Sequence, residues 1–385
     1  MSDGGFAEAF QPGILDVSKT LDCGDTRCHI YERGGVAPVR LNLPWTACDW
    51  NRRVDEYSTA AIELQGLDCF ALYDFIEPRR HELVIERTQD GIFRRIWAGP
   101  IYGVSVTPAY PGLRVSAHDV SWWMTLRKFH ADHTWSTGTD LITVFVDAIN
   151  DGLSVDNSFG LTLDYAYSGS TVTEDDGRKV VALGNDYIYD YVKSLADAAL
   201  DWTVVDRVLT VRGFELTPIA LNPLTEQHFT LLNQFTLSAK NAPTRVTMSG
   251  NGRGEAGDTV VGSAVTTDPT AESLYGVVEQ SLSDPTIRDV GSATVAAQNR
   301  MRNFNGKPRW IFQGGDLDLN RCPVTMPELV PGRRLPLSIG QTRRYPTIQE
   351  VYRLTAVDGY VGPDQNKVSI SVAPLGATNE DLGEE

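Results

Sequence analysis

Apolar and polar residues alternate in short runs between residues 27 and 117, which is the pattern of half-buried β-strands. Turn-forming pairs separate some of these runs, among them Asp90-Gly91 and Pro111-Gly112. Repeated short strands with such turns predict a small antiparallel barrel or sandwich. The predicted strands cover residues 27–32, 36–43, 60–64, 81–87, 92–102 and 113–117.

At Asp119 the pattern changes from a period of two to the spacing of helices. Asp119, the pair Thr139-Asp140, and Asp186 each precede an apolar stripe, so each is predicted to cap a helix. The clearest stripe follows the i, i+3, i+4, i+7 spacing through Ile188, Tyr191, Val192, Leu195 and Ala199. A hairpin is predicted around Asp206-Arg207. Residues 119–215 are therefore predicted to form an α+β unit inserted between two strand-rich regions.

Alternation returns over residues 229–249 and 310–373. Between them, a helix is predicted over residues 293–304, with Ser292 as its N-cap and Asn305-Gly306 at its end. Its buried face would consist of Ala293, Ala296, Ala297, Met301 and Phe304. The two strand-rich regions end in similar patterns, each with two predicted strands of alternating apolar residues. Residues 97–106 and 113–117 end the first region, and residues 352–361 and 368–373 end the second.

These patterns together predict a mixed, mainly β fold with two small antiparallel β-barrels. The first barrel would span residues 1–118, and the second would combine residues 216–250 with 308–375. The α+β unit would lie between the barrels, and residues 251–307 would form a small insertion with one helix in the second barrel. Residues 376–385 are predicted to be an acidic tail.

The composition is that of a folded, acidic protein. Of 385 residues, 42% are hydrophobic and 22% are charged, which is typical of globular domains. Fifty acidic against 34 basic residues give a formal charge of −16, which disfavours a phosphate-neutralising surface and a sequence-specific nucleic-acid partner. An acidic wall would suit a channel that DNA must pass without sticking, although such charge usually serves only solvation. Neither a signal peptide nor a run of about 18 apolar residues is apparent, so no membrane span is expected.

Cysteine spacing indicates no metal or disulfide framework. The cysteines are odd in number and form no CxxC pair: Cys23, Cys28, Cys48, Cys69 and Cys322. Reduced cysteines suit assembly in a cytoplasm. Cys48-Asp49 and Cys69 lie in strand-like, aromatic surroundings that fit small buried side chains better than nucleophiles.

The other candidate motifs are incomplete. Gly252-Arg253-Gly254-Glu255-Ala256-Gly257 matches the dinucleotide-binding letters GxGxxG, but the following residues favour a strand where that chemistry needs a helix, so a flexible loop is predicted. His130, Asp132 and His133 could lie near one metal, but zinc needs further ligands. The remaining histidines, His29, His81, His118 and His228, are isolated.

Tryptophans are spread over all predicted domains, which indicates core anchors rather than a saccharide-stacking surface. They are Trp45, Trp50, Trp97, Trp122, Trp123, Trp135, Trp202 and Trp310. Neither a GxSxG elbow nor a nucleophile–base pair can be identified from the sequence. No catalytic, cofactor-binding or metal-binding residue is therefore predicted, and no cofactor.

Several segments resemble phage tail proteins in their order along the chain. Tyr275-Gly276 with Glu279, the Ala-rich helix, the strand from Trp310, and the segment 328–339 around Pro331-Gly332 are similar to the second half of tail hub proteins. Residues 97–103, leading to 115–119 and the helix of residues 122–127, resemble the exit from the first barrel in siphophage minor tail proteins. The chain thus resembles the baseplate hub or minor tail protein family, which is related to the hub of type VI secretion spikes.

The resemblance implies a structural, non-enzymatic virion component, assembled in the host cytoplasm and located at the tail tip. It implies a homotrimeric hub that joins the tail tube or distal tail protein to the tip and forms a channel. The tape measure protein and downstream tip or fibre proteins are its other implied partners. A lysin or fibre domain is not expected, because the chain stops soon after Ala373.

Two other functions remain open from the sequence. A carbohydrate-binding tail-tip protein would be supported by exposed aromatic clusters on one face. A tail-associated cell-wall hydrolase would be supported by convergent carboxylates of perturbed pKa in a pocket.

Overall fold

The computed structural model describes residues 26–65, 75–89, 92–107, 112–168, 171–172, 177–184, 186–213, 223–239, 242–251, 259–283, 290–304, 306–318, 321–340, 347–363 and 365–374. The fold of these residues is mainly β, with large antiparallel sheets and few helices. None of their helices has the length and apolar character needed to cross a membrane.

The first strand-rich region contains β1 (Thr26–Glu32), β2 (Pro38–Arg40), β3 (Trp45–Arg53), β4 (Thr59–Gln65), β5 (His81–Gln89), β6 (Ile92–Thr107) and β7 (Gly112–His118). The middle region contains a 3-10 helix (Val120–Leu126), β8 (His133–Trp135), α1 (Leu141–Val155), β9 (Thr162–Tyr165), β10 (Arg178–Val180), α2 (Ile188–Ala199), β11 (Leu200–Val205) and β12 (Val208–Gly213). The last region contains β13 (Leu224–Thr225), a 3-10 turn (Glu226–His228), β14 (Phe229–Leu232), β15 (Phe235–Ser238), β16 (Arg245–Asn251), β17 (Thr259–Val265), α3 (Ala271–Tyr275), β18 (Glu279–Ser283), α4 (Val290–Phe304), β19 (Arg309–Phe312), β20 (Gly315–Leu317), β21 (Arg334–Ile339), β22 (Ile348–Val361) and β23 (Asn366–Pro374).

Strands from both strand-rich regions join in one 13-stranded sheet with the order β14-β20-β23-β22-β3-β4-β7-β6-β5-β1-β2, while β13 and β21 extend it from β22. The two regions meet where β3 pairs antiparallel with β22, from Arg53 opposite Ala356 to Cys48 opposite Val361. Both regions also contribute to one continuous hydrophobic core. The sheet therefore makes the two regions a single packed body.

Two closed barrels are not confirmed among the described strands. The first region curls enough for the Leu43 N–H to donate to the Cys28 carbonyl at 2.9 Å, which brings the start of β3 close to β1. The ladders of β3, however, run to β4 and β22. Because β3 pairs with β22 and not with β1, the sheet continues into the other region instead of closing on itself.

The middle region has a second hydrophobic core, formed by residues between Val120 and Val211. Asp140 caps α1 as predicted, since its carboxylate accepts a hydrogen bond from the Ile142 N–H. Asp119 caps the 3-10 helix in the same way. Asp186 does not cap α2, because the residue that precedes this helix is Tyr187 and it makes no side-chain cap.

We propose that this second core belongs to the inserted unit of residues 119–215. An excised chain of these residues should then unfold cooperatively in a circular-dichroism melt, and a gradual melt would contradict the boundary.

A smaller core lies between α4 and the sheet of β17, β16 and β18. Ala293, Ala297 and Met301 are buried on the predicted helical face. The helix begins at Val290, so Ser292 lies in its first turn and is not the N-cap. Gly262 of β17 allows the close approach, because a Cβ there would collide with the helix backbone at residues 293–294.

The strand predicted to begin at Trp310 is divided. It forms β19 and β20, which pair in different sheets. Gly314 separates them with a φ of 104°, a left-handed conformation that a residue with a side chain rarely adopts. The alternation in the sequence continues across this break, so the pattern alone did not reveal it.

A buried charge cluster connects the three regions. Arg353 of β22 donates to Asp201 of β11 at 2.6 Å and to Asp55, after β3, at 3.2 Å, and all three residues are buried. Asp55 also accepts from the Trp202 N–H at 2.9 Å. Burial raises the pKa of Asp201, and the positive charge of Arg353 counteracts that rise. Without Arg353, two buried carboxylates would lose the positive charge that both of them contact.

We expect Arg353→Met to lower the free energy of unfolding by about 3–5 kcal/mol, because it breaks a buried ion pair from one side. Arg53→Met is the matched control. Its bidentate pair with Asp358 crosses the same β3–β22 joint, but the two side chains are 32% and 41% exposed. Loss of this exposed pair should lower the free energy of unfolding by less than about 1 kcal/mol. Urea denaturation followed by tryptophan fluorescence measures the free energy of unfolding of each variant. An equal decrease in the two variants would contradict the role of Arg353.

Candidate functional site

The histidine motif has a structural role. The buried carboxylate of Asp151 accepts hydrogen bonds from the His130 and Ala131 N–H groups at 2.6 and 2.9 Å and lies 3.2 Å from Nε2 of His133. Asp132 points elsewhere and accepts from the Ala182 N–H at 2.7 Å. No three His, Cys, Asp or Glu side chains of the described chain are grouped to hold a metal ion.

The cysteines that the structure describes occupy packed positions. Cys28 and Cys48 are fully buried in the main core, with their Sγ atoms 3.7 Å apart. Burial raises the pKa of Cys322, which keeps that thiol protonated at neutral pH. Cys23, Cys69 and the glycine-rich segment 252–257 lie outside the described residues.

Most tryptophans are core residues, as the sequence predicts. Six are at most 6% exposed: Trp45, Trp50, Trp97, Trp123, Trp135 and Trp202. Trp310 is half-buried and packs against the main core. Trp122 is also half-buried, and it belongs to an aromatic surface that sequence reasoning missed.

A small depression lies where β3, the β3–β4 turn and α2 meet. It has a volume of about 240 Å³ and is lined by Asn51, Arg53, Glu56, Tyr57, Thr59 and Tyr189. The rings of Tyr57 and Tyr189 lie 5.7 Å apart between centroids, with their planes inclined at 57°. We name this depression the aromatic pocket.

Three of the six polar side chains that line the aromatic pocket are already paired. Asn51 Nδ2 donates to Thr59 Oγ1 at 2.9 Å, and the Thr59 N–H donates to Asn51 Oδ1 at 2.8 Å. Both terminal nitrogens of Arg53 donate to the Asp358 carboxylate. Glu56 is exposed, and its carboxylate has no hydrogen bond or ion pair with any described residue. It is thus the uncommitted charge of the pocket.

Rings around His118 extend the pocket into a wider surface. His118 stacks on Tyr102 with centroids 4.0 Å apart, meets Tyr57 edge-on at 4.8 Å and lies 5.1 Å from Trp122. The Arg79 guanidinium lies 5.9 Å from the centre of the Trp122 ring. The first strand-rich region and the middle region therefore share one aromatic surface.

This surface carries two cations, Arg79 beside Trp122 and Arg53 paired with Asp358, and its other titratable groups are neutral or negative. Burial lowers the pKa of His118 to about 4, so its ring is neutral at neutral pH. Burial raises the pKa of Tyr189 to about 12, and the negative charges of Glu56, Asp119 and Asp190 contribute to the rise. Cations near the pocket would lie in a favourable potential.

Asp119 is not a catalytic candidate in spite of its perturbed pKa. Burial raises the pKa of this carboxyl to about 6, against the effect of hydrogen bonds from Ser58 and Ser121. Its oxygens accept from the Ser58 N–H and from the N–H and hydroxyl of Ser121. The carboxyl therefore fixes the end of β7 and does not line the aromatic pocket.

No protein-family model and no curated protein matches this sequence. Its fold is nevertheless similar over nearly the whole chain to solved tail proteins. The 43 kDa tail protein of prophage MuSo2 from Shewanella oneidensis matches with a TM-score of 0.57 and 12% identity, over 91% of this chain and 98% of that one.

Two further tail proteins agree. The tail protein from Neisseria meningitidis MC58 matches with a TM-score of 0.57 and 10% identity, over 92% of this chain and 98% of that one. The prophage tail protein gp18 from Listeria monocytogenes EGD-e matches with a TM-score of 0.55 and 11% identity, over 93% and 97%. The resemblance to tail proteins drawn from the sequence is confirmed at the level of the fold.

We expect the stability of the protein to depend on pH through His118. Its pKa is about 4 in the folded protein and 6.5 without the fold, so the unfolded chain takes up the proton first as pH falls. The stability that neutral His118 contributes is present above pH 6.5 and is lost as pH falls towards 4. Asp119, with its raised pKa, acts in the opposite direction between about pH 4 and 6.

The variant His118→Phe keeps a ring for stacking on Tyr102 and removes the titration. Urea unfolding at pH 7 and pH 4.5 should show a smaller loss of stability in the variant than in the wild type. Asp119 is present in both proteins, so its contribution cancels in the comparison. An identical pH dependence in the two proteins would contradict the assignment.

Proposed function

We propose that this protein is a structural component of a phage virion, a hub subunit at the distal end of the tail. In this role it joins the tail tube or distal tail ring to the tip, adjoins the tape measure protein and carries downstream tip or fibre proteins. The proposal rests on the similarity of fold to three solved tail proteins, which extends over 91–93% of this chain and 97–98% of theirs. Identities of 10–12% make this an inference from fold.

We further propose that the hub is a homotrimer around a central channel. Support comes from a repeated arrangement in the main sheet. Residues 92–100 of β6 pair with β5 and residues 101–107 pair with β7. Likewise, residues 348–353 of β22 pair with β21 and residues 352–361 pair with β23. Three chains with two such units each would offer six similar units to a tail ring of six-fold symmetry.

The formal charge of −16 is compatible with a channel wall that does not retain DNA. Among the described strands, β14 and β2 lie at the ends of the main sheet, and a ring of copies would cover such edges, which otherwise aggregate.

We expect an image reconstruction of the assembled particle to show three copies of this chain around the tail axis. The β5–β6–β7 and β21–β22–β23 units should then occupy six similar positions. A single copy in the particle, or one unit lying away from the ring, would contradict the proposal. A monomer in dilute solution would not, because the contacts depend on concentration and on the neighbouring tail proteins.

The alternative of a cell-wall hydrolase finds no support in the aromatic pocket, where Glu56 is a single carboxylate and convergent carboxylates or a nucleophile–base pair would be needed. We expect no clearing of host cell wall in a zymogram of the purified protein. Reproducible clearing that a point substitution abolishes would overturn this. The alternative of a carbohydrate-binding tip protein depends on what the aromatic pocket accepts.

A further inference from the structure

We propose that the aromatic pocket binds a cationic side chain, an arginine or lysine presented by a partner protein. The identity of the partner as another tail protein rests on the proposed function. The recognition itself rests on the geometry of the pocket and does not depend on assembly.

The size of the pocket suits a single side chain. Its volume of about 240 Å³ is below the range of pockets that enclose drug-sized ligands, roughly 300–1,000 Å³. Tyr57 and Tyr189 form a wedge, with centroids 5.7 Å apart and planes inclined at 57°. A cation at the open side of this wedge would lie within the roughly 6 Å of both ring centroids over which cation–π attraction acts.

The charges of the pocket favour a cation over an anion. Glu56 is free to pair, whereas the charge of Arg53 is held by Asp358. His118, behind Tyr57, is neutral at neutral pH. The formal charge of −16 adds a long-range attraction for basic partners.

Nearby aromatic rings already hold cations of this chain. Arg79 lies 5.9 Å from the Trp122 ring centre, and the Lys128 ammonium lies 5.3 Å from that of Tyr187. Tyr57 and Tyr189 have no such intramolecular cation among the described contacts. The pocket therefore combines two rings that hold no cation of the described chain with a carboxylate that makes no ion pair with a described residue.

A saccharide fits the same pocket less well. Sugar hydroxyls need several free donors and acceptors beside the stacking ring, because each buried hydroxyl without a partner costs free energy. The amide of Asn51 and the hydroxyl of Thr59 bond to each other, and both terminal nitrogens of Arg53 are used. Glu56 and the hydroxyls of Tyr57 and Tyr189 remain to orient a ligand, and the single charge among them favours a cation over a neutral saccharide.

The test uses the full chain labelled with 3-fluorotyrosine and observed by fluorine NMR. Of the 14 tyrosines, the signals of Tyr57 and Tyr189 are assigned with Tyr57→Phe and Tyr189→Phe. Titration with arginine amide should shift both signals along one saturation curve. The signal of Tyr167, 78% exposed and outside the pocket, should not move. N-acetylglucosamine, at the same concentrations, should shift neither pocket signal.

Glu56→Gln removes the charge with little change in shape, and it should weaken arginine amide binding about fivefold or more. Glu279→Gln is the matched control, because that side chain is 70% exposed on β18, away from the pocket. The control should bind as the wild type does. Three outcomes would each overturn the proposal: no shift of the pocket tyrosines, equal affinity in Glu56→Gln, or a response to N-acetylglucosamine alone. None of them bears on the trimer, which the particle image tests separately.

Discussion

Arg353 is a cation in the protein interior, and the carboxylates of Asp55 and Asp201 both contact it there. The two carboxylates belong to different regions of the chain, one to the turn after β3 and the other to β11. A buried cluster of this kind adds little net stability over an apolar core, but it is strongly unfavourable when a member is missing. We interpret it as a registration device: the middle region and both strand-rich regions must be in place together before the charges are satisfied.

Arg52 imposes a similar constraint on the neighbouring part of the joint. Its side chain is 1% exposed and donates to the backbone carbonyls of Ile96, Met326 and Leu329 at 2.6–2.8 Å. Burial lowers its pKa to about 10, so it remains charged at neutral pH. Arg52 and Arg353 lie on β3 and β22, the strands that join the two regions. The β3–β22 joint is thus stabilised by buried arginine side chains as well as by the backbone hydrogen bonds between the two strands.

The β3–β22 joint also explains which parts of the fold could be predicted from the sequence and which could not. Most strands of the first region and the cap at Asp140 were predicted correctly, because alternation and capping are local signals. Strand β3 was missed, since one of its inward positions is Arg52 where an apolar residue is expected. The joining of the two predicted barrels was also missed, because its pairs, such as Arg53 with Ala356, lie about 300 residues apart in the sequence. The aromatic pocket has the same origin: Tyr57 and Tyr189 each look like ordinary residues until the middle region packs beside β3.

The pocket depends directly on the buried cluster. Asp55 turns inward with a φ of 61°, a left-handed conformation that Asp tolerates better than most residues. Its carboxylate and backbone are bonded to Trp202 and Arg353, so the turn is anchored from inside. Glu56 and Tyr57 follow directly and lie on the outer side of that anchored turn. The buried cluster that aligns the three regions therefore also positions Glu56 and Tyr57, two of the side chains that line the aromatic pocket. A rigid turn of this kind loses little conformational entropy on binding, which favours recognition by so small a surface.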